Sequence, residues 1–144
     1  MMLVFGKNES RFLRNGWHER EIDARVNFPY RSTLQKAELL IDVEPETRLI
    51  YILLAAPTML LGGKQTGKVS IVQDDKNLMS KFVERHHDRW SLETIETTQE
   101  IRGQVTLEIE SDQTGVPDRV LHNGDMREFG WMISAVWQRD HHPA

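Results

Sequence analysis

Apolar residues at every second position constrain this chain more than any other feature of its sequence. From Lys36 to Val43, Ala37, Leu39, Ile41 and Val43 fall on one side while Glu38 and Asp42 fall on the other. Gln104–Glu110 repeats the pattern, with Val105, Leu107 and Ile109 alternating with Thr106, Glu108 and Glu110. A period of two belongs to a half-buried strand, because successive side chains of an extended chain point to opposite faces. Leu49–Ala55 is apolar at every position, as a central strand covered on both faces would be.

The pattern recurs along the chain. Lys68–Gln73 reads as a strand, Asp74–Asn77 as a turn, and Leu78–Val83 as its hairpin partner. Trp90 and Leu92 are expected to face inward on the next strand. Phe129, Trp131, Ile133, Ala135 and Trp137 are expected to share one face of a long last strand. Arg25–Tyr30 reads as a short strand at a sheet edge, since Pro29 cannot donate a ladder hydrogen bond. Ser91–Ile101 carries Thr94, Thr97 and Thr98, poor helix residues, so strand plus loop is preferred there. Met132–Trp137 could be helical by composition but is assigned to the last strand, and Val116–Met126 reads as an irregular loop. Eight to nine strands separated by turn signals predict an all-β, antiparallel β-sandwich.

Residues 1–140 read as one domain and 141–144 as a polar tail expected to fray, with no Gly/Ser- or Pro-rich linker between. Met1–Phe5 is apolar but shorter than the core of a secretory signal, and Leu49–Leu61 is broken by Pro57 and too short to span a bilayer. We therefore expect a cytoplasmic protein with no membrane span. The net charge of −4 argues against a nucleic-acid partner held by a basic field. The absence of cysteine removes disulfides, thiolate metal sites and cysteine nucleophiles together.

Enzyme signatures fail on spacing. No His-x-His is present, and adjacent His86 and His87 on a strand would diverge, so neither metal nor other cofactor is expected. His18-Glu19 is not followed by the second histidine of a zinc-protease motif. Gly62 to Gly67-Lys68 has phosphate-loop spacing, but Val69 stands where Ser or Thr is required and a β-rich segment follows; a hairpin connection is the expectation.

Two polar clusters remain. Asn15-Gly16-Trp17-His18-Glu19-Arg20-Glu21 and Asp125-Met126-Arg127-Glu128-Phe129-Gly130-Trp131 each combine aromatic rings with planar hydrogen-bonding groups. Sugar recognition uses that mixture, an apolar ring face on an aromatic and hydroxyls on carboxylate or guanidinium. The same residues could instead brace the fold, with Arg127 paired to Glu19 or Glu21 and Trp17 plugging the core. Candidate ligand-binding residues are Trp17 as an apolar platform, His18, Glu21, Asp125 and Arg127, with Glu128 orienting Arg127.

The order Gly16-Trp17-x-x-x-Glu21, then Asp125-x-Arg127-Glu128-Phe129-Gly130 before a final strand, resembles bacterial accessory domains appended to glycosyltransferases and methyltransferases of cell-surface polysaccharide pathways. Phe129 stands where that pattern has Leu. The resemblance spans roughly Phe5–Trp137. It implies a jelly-roll-like sandwich of galactose-binding or carbohydrate-binding type, non-catalytic, with a carbohydrate ligand and a glycosyltransferase or methyltransferase partner. Two other readings stand beside it: an assembly module that docks or forms a homo-oligomer through Trp131 or Trp137, and a small cupin-like sugar-modifying enzyme.

Overall fold

The alternating segments form two stacked antiparallel sheets whose apolar faces meet. The computed structural model describes residues 2–139. Ten strands are present there: β1 (Met2–Val4), β2 (Trp17–Asp23), β3 (Phe28–Thr33), β4 (Lys36–Val43), β5 (Leu49–Ala55), β6 (Gln65–Gln73), β7 (Lys76–Arg85), β8 (Ser91–Glu96), β9 (Gly103–Ser111) and β10 (Met132–Arg139). One sheet runs β2-β3-β10-β5-β8 with β1 also beside β10; the other runs β4-β9-β6-β7. This is the jelly-roll-like sandwich expected. The tail at 141–144 lies outside the described residues.

The core follows from the alternation. Leu39, Ile41, Leu107, Ile109 and Ile71 of one sheet meet Ile50, Ile52, Leu54, Ile133 and Val136 of the other. Trp131 is fully buried between the sheets. Its indole N–H donates to the Glu110 carbonyl at 2.8 Å, and its backbone N–H to Thr33 Oγ1 at 2.9 Å. It therefore ties the end of β9 to the end of β3, and it is not available as a docking surface.

Several expectations need correction. β3 is not an edge strand: it lies between β2 and β10. Its ladder to β10 involves only Arg31 and Ser32, so the missing N–H of Pro29 falls where no ladder bond is required. Beyond that point β1 takes over the same side of β10. The last strand begins at Met132 and carries a bulge between Ile133 and Ala135, which shifts its alternation. Ile133 and Val136 face the core, while Trp137 turns outward and stacks on Tyr51, with centroids 5.3 Å apart. The 116–126 stretch is not wholly irregular, because a short helix, α1 (Pro117–Leu121), forms with Pro at its start. Gly62–Lys64 is not a hairpin turn: it ends the link from β5 of one sheet to β6 of the other, and Gln65–Lys68 already belongs to β6.

The inward assignment of Leu92 is also reversed. Leu92 is exposed, and Glu93 points inward at 8% exposure. Arg85 at 2.7 Å and Lys81 at 3.2 Å neutralise the Glu93 carboxylate. The same two cations donate to the Leu92 and Thr94 carbonyls. Their donations occupy backbone acceptors on β8, the last strand of its sheet, which protects an edge that would otherwise invite a foreign strand.

Strand directions collect the 5–16, 34–35, 56–64, 86–90 and 112–131 connections at one end of the sandwich. Both polar clusters reach that end.

Candidate functional site

Glycine placement explains how the first cluster is presented. Gly16 has φ +94°, and a Cβ there would lie 2.0 Å from the Lys36 carbonyl oxygen. Only glycine lets the chain cross β4 this closely. The next residue, Trp17, turns inward: its ring packs against Phe5 at 5.6 Å and its N–H donates to the Glu38 carbonyl at 2.9 Å. Trp17 is thus half-buried at the start of β2, its ring packed against the core. Gly130 has a similar constraint, since a Cβ would come within 2.4 Å of Thr33 Oγ1.

His18, Glu21, Asp125 and Arg127 come together at the surface. Arg127 donates from Nε and Nη2 to the two Asp125 oxygens at 2.9 and 2.7 Å. Its guanidinium lies 4.8 Å from the Phe129 ring centroid, and its Nη1 is 3.8 Å from a Glu21 oxygen. His18 donates from Nε2 to the Glu128 carbonyl at 2.5 Å and packs against Phe129 at 4.9 Å. Glu128 enters through its backbone; Asp125, rather than Glu128, orients Arg127.

Three aromatic residues not singled out for the site complete the surface. The Tyr30 hydroxyl donates to Glu21 at 3.2 Å. Trp90 packs 5.8 Å from Tyr30 and 5.7 Å from Phe28, and its indole N–H donates to Asp23 at 2.9 Å. Trp90 immediately precedes β8, whereas Tyr30 and Asp23 lie on β3 and β2 at the opposite edge of the same sheet. The 86–90 loop therefore reaches across the outer face of that sheet. Arg25 fastens it by bonding both Asp23 and Asp88 at 3.0 Å. Tyr30 was legible as an aromatic opposite Glu21 only once the β2–β3 register was known.

The electrostatics are those of a held surface. Hydrogen bonds from Arg127 bring the Asp125 carboxyl down to about 2. Those from Arg25, joined by Trp90, bring Asp23 to about 2. Burial, reinforced by the Glu21 charge, pushes the Tyr30 phenol up to about 12. At neutral pH the two aspartates are ionised acceptors and Tyr30 is a donor. The arrangement places half-buried aromatic rings beside fixed hydrogen-bonding groups.

The histidine loop is engaged locally. His87 Nδ1 accepts from the Arg89 backbone N–H, and His86 lies 3.5 Å from Glu84. Among the described residues no three His, Cys, Asp or Glu side chains are grouped to hold a metal ion. A separate recess of about 620 Å3 lies near the opposite end, lined by Met2, Glu44, Thr47, Trp137 and Gln138 among others. Among the described residues no helix is long and apolar enough to cross a membrane.

No protein-family model matches the sequence, and no curated protein is detectably similar to it. Solved structures do share its architecture. Xyl-CBM35, solved in complex with a glucuronic-acid-containing disaccharide, superposes with a TM-score of 0.54 at 13% identity, over 96% of this chain and 92% of that one. The CBM35 module of Cellvibrio japonicus Abf62 gives 0.51 at 13% identity, over 94% and 91%. The chain is therefore similar in fold, across nearly its whole length, to jelly-roll sandwiches of the carbohydrate-binding-module type.

Proposed function

We propose that this domain is a non-catalytic carbohydrate-binding module, with its site on the surface formed by Tyr30, Trp90, Glu21, His18, Asp125 and Arg127. The observation that carries this reading is the joining of the two distant sequence clusters beside the half-buried rings of Tyr30 and Trp90. Aromatic rings take the apolar face of a pyranose, and the fixed carboxylates and guanidinium take its hydroxyls. The fold likeness to carbohydrate-binding modules supports the same reading. The site is open to water, so affinity is expected to be modest, with Kd of roughly 0.1–1 mM, or about 4–5.5 kcal/mol.

The test is depletion of the protein from solution by a panel of insoluble polysaccharides, run beside Tyr30→Ala and Arg127→Ala. Retention on at least one polysaccharide, lowered at least threefold by either substitution, is the expected result. Retention that both variants keep in full would remove the site from this surface.

The finer context rests on the motif resemblance built on Gly16, Glu21, Asp125, Arg127 and Gly130. On that ground the module belongs beside a cytoplasmic glycosyltransferase or methyltransferase of cell-surface polysaccharide assembly. Co-purification of such an enzyme from the source cells is the expected outcome; its absence at native expression level would argue against this placement.

A further inference from the structure

Two Asp-x-Arg units flank the proposed site, and they are built alike. In Asp23-x-Arg25, the arginine backbone N–H and Nε donate to Asp23 Oδ1 at 3.0 and 3.2 Å, and Nη2 donates to Oδ2 at 3.0 Å. In Asp125-x-Arg127 the same three bonds measure 3.1, 2.9 and 2.7 Å. Each guanidinium thus spends its two-pronged edge on its own aspartate. The remaining Nη1 groups also face carboxylates, Arg25 on Asp88 at 3.0 Å and Arg127 near Glu21 at 3.8 Å.

Guanidinium is the side chain that recognises a ligand carboxylate by two parallel hydrogen bonds. Here the side-on edge of each is taken, and the end-on Nη1 side of each faces a further carboxylate, Asp88 or Glu21. Around the rings of Tyr30 and Trp90, the carboxylates of Glu21, Asp23, Asp88 and Asp125 stand against the guanidiniums of Arg25 and Arg127, with Arg89 exposed beside Trp90. The side chains of Glu19 and Glu128, both exposed, add to the negative side, while Arg20 is directed at Glu9.

Resting on the reading of this surface as a sugar site, we propose that it accepts saccharides without a carboxylate and rejects uronic acids, with Asp125 as the residue that sets this selection. A uronate would either displace an aspartate from its arginine, leaving that aspartate charged beside it, or approach the end-on edge of Arg127 against the Glu21 carboxylate 3.8 Å away. The hydroxyls of a neutral sugar need no such exchange, because they can donate to carboxylate lone pairs that the forks leave free. The fold alone does not dictate this outcome: Xyl-CBM35, with a similar architecture, was solved with a glucuronic-acid-containing disaccharide.

The experiment is calorimetric and NMR titration with methyl glycosides of glucuronic, galacturonic and mannuronic acids. Each is compared with its neutral hexose and with the methyl ester of the same uronic acid, which differs only in charge. We expect at least one neutral member or ester to bind, and its free acid to bind at least tenfold more weakly at low salt. The gap should narrow at least threefold at high salt and in Asp125→Asn, where a guanidinium edge is released. Glu21→Gln, which removes a charge without touching that fork, should narrow it to a smaller degree and provides a second variant should Asp125→Asn fold poorly. A free acid that binds as tightly as its ester would overturn the selection while leaving the sugar site standing. If no member of the panel or of the polysaccharide set perturbs the cluster, the sugar-site reading fails and this inference falls with it.

Discussion

The loop that carries Trp90 across the sheet is held by the indole hydrogen bond to Asp23 together with the Arg25–Asp88 bonds, and the first of these contributions can be measured. The indole N–H meets a nearly buried carboxylate, Asp23, at 2.9 Å. A hydrogen bond to a charged group contributes about 1.5–3 kcal/mol when its partner is retained. Trp90→Phe keeps an aromatic ring against Phe28 and Tyr30 but removes the donor, so it should cost about 2 kcal/mol. Asp23→Asn removes the charge and also weakens the fork with Arg25. Because Arg25 is half exposed, that second loss should stay below about 1 kcal/mol. The double mutant should therefore show a coupling of about 1.5 kcal/mol between the two positions. Urea unfolding at pH 7, followed by far-UV circular dichroism, gives all four stabilities. A coupling below about 0.5 kcal/mol, with all variants folded, would refute the claim that this bond holds the loop to the β2–β3 hairpin.

Other consequences are as direct. Gly16→Ala should destabilise the fold by about 3 kcal/mol or more in thermal melts, because its Cβ meets backbone. Gly62→Ala, also at positive φ but with nothing within 4 Å, should cost only about 1 kcal/mol. Glu93→Ala leaves Lys81 and Arg85 facing each other at the sandwich edge and should cost about 2–3 kcal/mol by urea titration. Asp23 has a folded-state pKa of about 2, below the ordinary 3.8. Its stabilisation is complete above the ordinary value and is lost as pH falls through about 2. The shift corresponds nominally to about 2 kcal/mol, reduced toward 1 by the exposure of Arg25. Stability measured from pH 5 to pH 2 should fall more steeply in the wild type than in Asp23→Asn.

The strands that could be read from sequence are β4 and β9, whose faces alternate between core and solvent, and β5, which is apolar throughout and buried on both faces. β4 and β5 have the expected boundaries, and β9 extends the expected Gln104–Glu110 by one residue at each end. The misreadings have particular causes. Leu92 and Glu93 exchange faces because Lys81 and Arg85, distant in sequence, make an inward carboxylate tolerable. The bulge in β10 sends Trp137 outward against the simple alternation, and no residue there advertises it. α1 has only five residues, too few to show a helical period.

The site was half legible for a related reason. Glu21, Asp125 and Arg127 belong to short motifs that announce polar recognition. Tyr30 and Trp90 join them only through the β2–β3 register and a loop crossing a whole sheet. Trp17 looked like a platform because aromatic residues next to glycine serve both core and surface. Its contact with Phe5 and its hydrogen bond to the Glu38 carbonyl turn the ring toward the core, half-buried.

The central claim is that sugars bind at the end of the sandwich where the two clusters meet. Backbone amide shift mapping during titration with a polysaccharide fragment that the domain retains tests it most directly. The account predicts shifts concentrated at His18, Glu21, Tyr30, Trp90, Asp125 and Arg127. Shifts confined to the other end, around Thr47, Trp137 and Gln138, would contradict it.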